Sequence, residues 1–342
     1  MSEPALRTRL TGRLGIEGPI VQAPIGSATT PELAAAVSEA GGLGTLAITW
    51  REAEEVRTLV RETKERTDAP FGVNIVVDPD AKSIPTETHV ECCLDEGVEI
   101  FSFSFGEAQA VERIHDHGGT VIQTVGSAEE ARKAVDAGVD IVVAQGWEAG
   151  GHVQSEVATM VLVPQVVDAV PEAPVIAAGG IADGRGIAAV LALGADGAWL
   201  GTRFLATPEA RAHQQYQQRI LDADEKETRY STLFDEGWPG TPHRVLENEV
   251  VREGDAAGRP DSDRPGAGEE VARNPDGSPV YRYEDSLAVP GMEGEIEQLP
   301  LYAGQSAGAT EEIRPAGELV EELLTETNEA IQRTESLLSN SN

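Results

Sequence analysis

Residues Pro174–Phe204, PVIAAGGIADGRGIAAVLALGADGAWLGTRF, decide the fold. This segment opens with the apolar run Pro174–Ala178, continues with helical spacing over Asp183–Leu193 and closes with a second apolar run, Gly197–Phe204. An apolar run, an amphipathic helix and another apolar run predict a strand–helix–strand unit with parallel strands. Because both runs are nearly continuous in apolar residues, we expect both faces of the sheet to be covered.

The same alternation extends back to the N-terminus. Six further apolar runs predict strands at Pro19–Ile25, Gly44–Ile48, Phe71–Val77, Glu99–Phe105, Thr120–Val125 and Asp140–Gln145. Helical spacing predicts helices at Thr30–Ala40, Arg51–Thr67, Thr86–Glu96, Ala108–His117, Ser127–Ala137 and Thr159–Val170, with Pro208–Leu221 after the last strand. Eight strand–helix units in an α/β chain favour a closed (β/α)8 TIM barrel over an open sheet, although alternation alone does not demonstrate closure.

Composition divides the chain into three parts. Residues 1–221 carry the barrel pattern. Residues 222–295 are rich in Asp, Glu, Gly, Pro and Arg and predict an irregular, partly mobile acidic excursion. Residues 296–342 regain helical spacing over Ile313–Leu338, which predicts a terminal helix that packs on the barrel.

The formal net charge of −33 restricts the partners that the protein can have. Binding to nucleic acid or to an anionic membrane surface needs clustered Lys and Arg, so we expect neither partner. An acidic surface around an ordinary apolar core indicates adaptation to high salt, where screening removes the self-repulsion.

The cellular location follows from the cysteines and the N-terminus. Cys92 and Cys93 are adjacent in a predicted helix, so we expect reduced structural thiols. Met1–Gly12 has no apolar stretch of the kind found in signal peptides. Both observations predict a cytoplasmic protein, and they leave the oligomeric state open.

Polar residues and glycines recur where the predicted strands end, which is where barrels of this kind carry their active sites. An amide inside a barrel costs free energy unless it is hydrogen-bonded, and Asn and Gln each offer a donor and an acceptor. A flat heterocycle such as a flavin would satisfy several of them at once; alternatively, each amide caps a turn. The residues concerned are Gln22, Ala23, Pro24, Asn74, Gln123, Gln145, Gly150, Gly179, Gly180, Gly201 and Thr202.

Two of these strand ends form a candidate phosphate site. Gly179-Gly180 precedes a helix that starts at Asp183, and Gly201-Thr202 belongs to the last strand. Loops in these positions hold phosphates through backbone N–H groups and a helix N-terminus, and glycines allow the backbone to approach. The alternative is that small residues ease packing there.

His152 is the candidate catalytic residue. It follows Gly150-Gly151 directly after the sixth strand, where a histidine can act as a general base near neutral pH. The alternative is a loop histidine with a satisfied hydrogen bond. His243 is left undecided near the barrel mouth, and no cluster has metal-ligand spacing, so we expect no metal site.

The run Gln145-Gly146-Trp147-Glu148-Ala149-Gly150-Gly151-His152 resembles the signature of the nitronate monooxygenases, formerly called 2-nitropropane dioxygenases. Other matching segments lie in the expected order: Pro19–Pro24, Gly72–Asn74, Phe103–Gly106, Ala177–Ile181, Leu200–Ala206 and Tyr302–Gly308. The resemblance covers residues 14–220 and 296–310. Glu107 departs from it where relatives often carry Pro, and residues 250–290 do not align.

The resemblance implies non-covalent FMN, a small-molecule substrate and O₂. It implies that FMN is contacted by the strand-end residues named above, so that residues 1–221 form the FMN-binding part. His152 would take the proton from the carbon that bears the nitro group, and the oxidised products would be a carbonyl compound and nitrite.

Two other functions fit similar motifs. The first is an NAD(P)H-dependent FMN reductase, with a quinone or enoyl-ACP acceptor, which would oxidise NAD(P)H rapidly. The second is a barrel that only stores or senses FMN, and a His152→Ala variant would distinguish it from an enzyme. A function similar to that of inosine monophosphate dehydrogenase is disfavoured, because no cysteine follows the sixth strand.

Overall fold

The computed structural model describes residues 6–81, 84–259 and 263–339. Eight parallel strands form one sheet. They are β1 (Ile20–Gln22), β2 (Gly44–Ala47), β3 (Phe71–Val76), β4 (Ile100–Ser104), β5 (Thr120–Val125), β6 (Ile141–Gln145), β8 (Val175–Ala178) and β9 (Gly197–Leu200), whereas β7 (Gly151–His152) lies outside this sheet. Their spatial order is β1-β9-β8-β6-β5-β4-β3-β2. A parallel bridge between Val21 and Leu43 joins β1 to the start of β2, so the sheet is a nearly closed barrel and the predicted fold class is confirmed.

Helix α1 (Arg9–Leu14) precedes β1, and its Leu10 and Leu14 pack in a cluster with strand residues such as Ile141. The helices between the strands form the outer layer: α2 (Pro31–Glu39), α3 (Ala53–Lys64), α4 (Thr86–Asp95), α5 (Val111–Asp116), α6 (Ala128–Asp136), α7 (Thr159–Ala169) and α8 (Gly184–Ala192). Side chains from both layers form the largest apolar core, which includes Phe101, Phe103 and Leu162. Loops at the carboxyl ends of the strands are therefore held on a rigid scaffold.

Local sequence determines where two of these helices begin. The hydroxyl of Thr30 accepts a hydrogen bond from Leu33 N at 3.0 Å, and Pro31 occupies the first position of α2. Ser127 caps α6 in the same way, since its hydroxyl accepts from Glu130 N at 3.2 Å. Both caps stabilise helix ends next to strands that line the barrel.

The last barrel strand is shorter than the sequence indicates. Instead of continuing to Phe204, it ends at Leu200, and the chain forms the short helix α9 (Thr202–Leu205) before α10 (Gln214–Asp222). Gly201 has helical dihedral angles, with φ −109° and ψ −70°. Helical backbone at this glycine ends the strand, and an apolar run alone cannot distinguish a buried strand from a buried helical turn.

Residues 222–295 are more regular than predicted. They contain β10 (Thr228–Ser231), β11 (His243–Leu246), α11 (Glu249–Ala256), β12 (Glu270–Arg273), β13 (Pro279–Tyr281) and β14 (Glu293–Gly294). Strand β11 lies between β10 and β7 in an antiparallel sheet, and β12 lies between β13 and β14 in another. These short strands were missed because charged residues interrupt their apolar pattern, although the segment has its own buried cluster that includes Phe234, Val245 and Tyr283.

The C-terminal helix α12 (Ala316–Ser339) packs against α8 and α2. Its residues Leu319, Val320 and Leu323 are buried in the main core. None of the helices in the described residues combines the length and the apolar character needed to cross a membrane.

Candidate active site

A cavity of about 820 Å³ opens at the carboxyl ends of the barrel strands. Strand ends contribute Asn74, Ser104, Thr124, Gln145 and Ala178 to its lining. The segments after the barrel contribute Trp238, Asp285 and Tyr302. Its volume lies in the range of ligand-binding clefts, which runs from about 300 to 1,000 Å³.

His152 reaches the cavity on a loop that pairs with the C-terminal excursion. The loop leaves β6 at Gln145 and forms β7, in which His152 pairs with His243 of β11. Gln145 closes the loop, because its Nε2 donates to the carbonyl of His152 at 3.1 Å and its Oε1 accepts from Gln154 N at 2.8 Å. Both ends of the loop are thereby held at the strand from which it starts.

Arg244 holds the outer part of the same loop. Its Nε and Nη2 donate to the carbonyl of Trp147 at 3.2 and 2.8 Å, and its guanidinium lies 4.2 Å from the centre of the Trp147 ring. Burial lowers the pKa of Arg244 from its usual value. A buried guanidinium that is hydrogen-bonded and stacked on an aromatic face fixes the loop against β11.

Aromatic rings surround the imidazole of His152. Its ring centroid lies 4.2 Å from that of Trp238, 5.4 Å from that of Tyr302 and 6.2 Å from that of Phe105. Burial in this apolar setting lowers the pKa of His152 from 6.5 to about 3. The imidazole is consequently neutral at physiological pH, so one ring nitrogen keeps its lone pair, and burial opposes its protonation unless a negative charge lies nearby.

One carboxylate faces this imidazole. Asp285 Oδ2 lies 3.7 Å from His152 Nε2, and the hydroxyl of Tyr302 donates to Asp285 Oδ1. Burial raises the pKa of the Asp285 carboxyl, while the Tyr302 hydrogen bond opposes that rise. Burial also raises the pKa of Tyr302 well above its usual value, so its hydroxyl remains a donor.

His243 belongs to the same cluster as a neutral, buried imidazole. Its Nε2 accepts a hydrogen bond from Phe234 N at 3.3 Å, and its Nδ1 contacts the carbonyl of Thr241 at 3.1 Å. Nδ1 therefore carries the proton, since a carbonyl only accepts. Burial lowers the pKa of His243 to about 4, and its ring centroid lies 5.7 Å from that of His152.

A glycine-rich wall contributes backbone to the cavity. Gly179 and Gly180 have φ values of 103° and 72°, in the left-handed region that favours glycine. A Cβ atom on Gly179 would lie 3.0 Å from Ala149 N and from Gly146 O. Two strand-end loops therefore approach each other as closely as backbone allows.

Comparison with known proteins gives the family. The sequence model of the nitronate monooxygenase family matches residues 7–326. The chain belongs to the nitronate monooxygenase family. Membership makes it an oxidoreductase and confirms the family predicted from the run Gln145–His152.

Several relatives of this chain have functional names or solved structures. The chain is 40% identical over 257 residues to the (3aS,4S,5R,7aS)-5-hydroxy-7a-methyl-1-oxo-octahydro-1H-indene-4-carboxyl-CoA dehydrogenase of Mycobacterium tuberculosis, covering 74% of this chain and 70% of the relative. FabK from Thermotoga maritima superimposes with a TM-score of 0.82 at 35% identity, covering 97% of this chain and 99% of FabK. Nitroalkane oxidase from Streptomyces ansochromogenes superimposes with a TM-score of 0.76 at 31% identity, covering 95% and 99%.

The structure brings most of the predicted site residues of this nitronate monooxygenase family member to one cavity. Ten line it: His152, Ala23, Pro24, Asn74, Gln145, Gly150, Gly179, Gly180, Gly201 and Thr202. They come from five strand ends and the loops that follow them, so their convergence is a property of the barrel and not of any single motif.

Gln22 and Gln123 do not line the cavity. Gln22 is fully buried, and its Oε1 accepts from Thr45 N at 3.0 Å. Gln123 Oε1 accepts from Ala108 N at 2.8 Å, whereas the next residue, Thr124, lines the cavity. Successive side chains on a strand point to opposite faces, and the sequence prediction placed Gln123 on the wrong one.

The N-terminus of α8 is also unavailable to a phosphate. Gly184 N donates to Glu326 Oε2 at 2.8 Å, and Gly186 N donates to Asp183 Oδ1 at 2.9 Å. These carboxylates already occupy the amides that the sequence analysis assigned to a phosphate. Any anion held by this loop would have to use the backbone around Gly179 and Gly180 instead.

Sequence reasoning missed the residues that surround His152 from the excursion. Trp238 and Asp285 lie in residues 222–295, which carried no recognisable motif. Tyr302 was noted only as part of a family element. The one signal was composition, since aromatic residues make up only 4% of the chain. The structure shows that several of them surround this imidazole.

Acid stability tests the neutral state of His243. Its pKa in the folded protein, about 4, lies below the usual 6.5, so the unfolded chain binds a proton first as the pH falls. We expect wild type to lose stability relative to His243→Gln by about 1.4 kcal/mol for each pH unit between about 6.5 and 4. Chemical denaturation of both proteins across this pH range measures the difference. A difference that stays constant with pH would show that folding does not lower the pKa of His243.

Proposed function

We propose that this protein oxidises alkyl nitronates or nitroalkanes with O₂, with FMN as cofactor, His152 as base, and a carbonyl compound and nitrite as products. The observation that carries the proposal is the neutral imidazole of His152, buried among aromatic rings at the cavity. The family match and the nitroalkane oxidase neighbour support it.

The lining of the cavity suits a flavin. At Gly179 and Gly180, Cβ atoms would lie 3.0–3.3 Å from neighbouring protein atoms and both residues have positive φ, so a glycine backbone forms this wall with the least strain. Asn74 supplies an amide whose Nδ2 lies at the 3.5 Å limit from Ser104 Oγ, which leaves hydrogen-bonding capacity for a heterocycle. In this proposal Ala23, Pro24, Asn74, Gln145, Gly150, Gly179, Gly180, Gly201 and Thr202 hold FMN, and Gln22 and Gln123 support the strands.

FMN would supply the redox chemistry and the reaction with O₂. The chain supplies the acid–base chemistry and the environment of the substrate. His152 accepts the proton from the carbon that bears the nitro group, and Trp238, Phe105 and Tyr302 exclude water from the imidazole. Gln145 and Arg244 keep the loop that carries His152 in place.

An anaerobic mixing experiment tests the function. The purified protein, loaded with FMN, is mixed separately with a primary alkyl nitronate and with NADH while its visible absorbance is recorded. We expect the nitronate to bleach the flavin, and O₂ to restore the colour with release of nitrite. Rapid bleaching by NADH and none by nitronate would contradict the proposal, as would failure to retain FMN.

An NAD(P)H-dependent reductase is the second candidate function. It is favoured by the 40% identity to a carboxyl-CoA dehydrogenase and by the overlap with FabK. The same mixing experiment separates the two candidates, since a reductase responds to NADH and a nitronate oxidase does not.

We also propose that the protein works in a salt-rich cytoplasm. The support is the net charge of −33, which produces self-repulsion at low ionic strength. We expect Tm to rise steadily as KCl is increased from low to molar concentration, because screening weakens that repulsion. Thermal melting in a KCl series measures this, and a Tm independent of KCl would contradict the proposal.

A further inference from the structure

We propose that Asp285 is the positioning residue of His152: its carboxylate orients the imidazole and compensates the positive charge that forms when His152 takes a proton from the substrate. This inference rests on the proposed function and deepens it. Asp285 belongs to the excursion that no motif of the sequence explains.

The first support is an unsatisfied atom. Nε2 of His152 is buried and has no hydrogen-bond partner among the described residues, and Asp285 Oδ2 lies 3.7 Å from it. This separation is longer than a hydrogen bond. Catalytic hydrogen bonds in structures without substrate are often long and tighten when the substrate binds.

The second support is that the two carboxylate oxygens of Asp285 face different partners. Oδ1 accepts from the Tyr302 hydroxyl, which leaves Oδ2 toward His152. Tyr302 is itself fixed by Tyr216, whose hydroxyl donates to the carbonyl of Tyr302. The carboxylate is thereby oriented by one partner and presents its free oxygen to the imidazole.

The third support is that backbone contacts fix the position of Asp285. Asp285 N donates to the carbonyl of Glu236 at 2.9 Å, which ties it to the turn that carries Trp238. Tyr283, two residues earlier, has φ 81°, and its hydroxyl donates to the carbonyl of Pro265 at 2.6 Å. A non-glycine residue in the left-handed region is strained, so the surrounding structure must hold this turn in place.

Because His152 is buried, its protonated form needs a negatively charged partner nearby. An imidazolium in an apolar site is costly unless a negative charge faces it. The ionisable groups that face Asp285 are His152 on β7, His243 on β11 and Tyr302 after the excursion. Asp285 is the only carboxylate among this group of four.

The chemical step has a simple balance. The carbon–hydrogen bond of a neutral nitroalkane breaks, its electron pair stays on the substrate as the nitronate anion, and the proton goes to Nδ1 of His152. Nε2–H then donates to Asp285, as a carboxylate does for a catalytic histidine. A preformed nitronate has already lost this proton, so its oxidation does not need the pair.

This difference between substrates provides the test. We expect Asp285→Asn to lower kcat/KM for a neutral nitroalkane about 10- to 100-fold, the usual loss when an orienting partner is removed. Its kcat/KM for the matching preformed nitronate should change by less than about threefold. Glu284→Gln is the control, because it removes the adjacent carboxylate, which lies outside the cavity lining.

Each outcome has a distinct meaning. Equal losses with both substrates would assign Asp285 a structural role and overturn the inference, and so would no loss with either. If wild type oxidises neither substrate, the proposed function fails. Nitrogen-15 NMR on histidine-labelled protein at neutral pH then decides the pairing without turnover. The signals of His152, assigned with His152→Gln, should show its proton on Nε2, and Asp285→Asn should abolish this preference; a tautomer unchanged by Asp285→Asn would overturn the inference.

Discussion

Replacing His152 with alanine is expected to lower kcat/KM for a neutral nitroalkane by about 10²- to 10⁴-fold, the contribution of a positioned general base. In the proposed function the imidazole at the cavity accepts the substrate proton, and the nearby Asp285 carboxyl faces it at 3.7 Å. Steady-state kinetics with a nitroalkane and with its preformed nitronate measure the effect. The nitronate should lose far less, since its carbon carries no proton to be removed.

The control for this variant is His117→Ala. His117 is exposed at the end of α5, and its Nδ1 contacts the carbonyl of Arg113 at 2.8 Å. It should keep wild-type turnover of both substrates. Unchanged nitroalkane turnover in His152→Ala, with bound flavin retained, would mean that the base assignment is wrong or that the activity lies elsewhere.

The barrel could be predicted because its information is local. Apolar runs such as Phe71–Val76 and caps such as Thr30 and Ser127 specify strands and helix starts within a few residues. The carboxyl ends of parallel strands then meet at one end of the barrel, whatever lies between them. For this reason residues as distant as Asn74 and Gly201 could be assigned to one cavity from the sequence.

The orientation of single side chains could not be predicted in the same way. When both faces of a strand are apolar, the pattern does not show which face is inside the barrel. Gln123 was therefore chosen although Thr124 lines the cavity. Gln22 was misassigned because a buried amide next to the cavity bonds to the neighbouring strand at Thr45.

Contacts that depend on non-local strand pairing also could not be predicted from the sequence. His152 meets Asp285 because β7 pairs with β11 and because the turn after Tyr283 folds back on the chain near Glu236. Neither contact leaves a periodic signal in a charged segment. The excursion looks irregular by composition, yet it supplies the carboxylate and the tryptophan that define the surroundings of the candidate base.

Gly150→Ala is expected to reduce activity with nitroalkanes and nitronates alike by about 100-fold, because Gly150 lines the proposed FMN site and a shift of about 1 Å in such a group can have this effect. A Cβ atom on Gly150 would lie 2.3 Å from Gly304 N and 2.6 Å from the carbonyl carbon of Ala303. Both are backbone atoms, so no side chain can turn aside. The loop must move away from this segment, and His152, two residues further on, moves with it.

The matched control is Gly151→Ala. Gly151 has φ 72° and open space around its Cβ position, so alanine costs backbone strain of about 1–2 kcal/mol without a collision. Thermal melting and retained flavin absorbance should rank the proteins as wild type, Gly151→Ala and Gly150→Ala. If Gly150→Ala keeps its flavin and turns over nitronate as wild type does, close contact between the His152 loop and residues 303–304 is not needed for function. A loss confined to Gly150→Ala would instead show that this contact sets the position of the loop, since both variants add the same methyl group to adjacent residues.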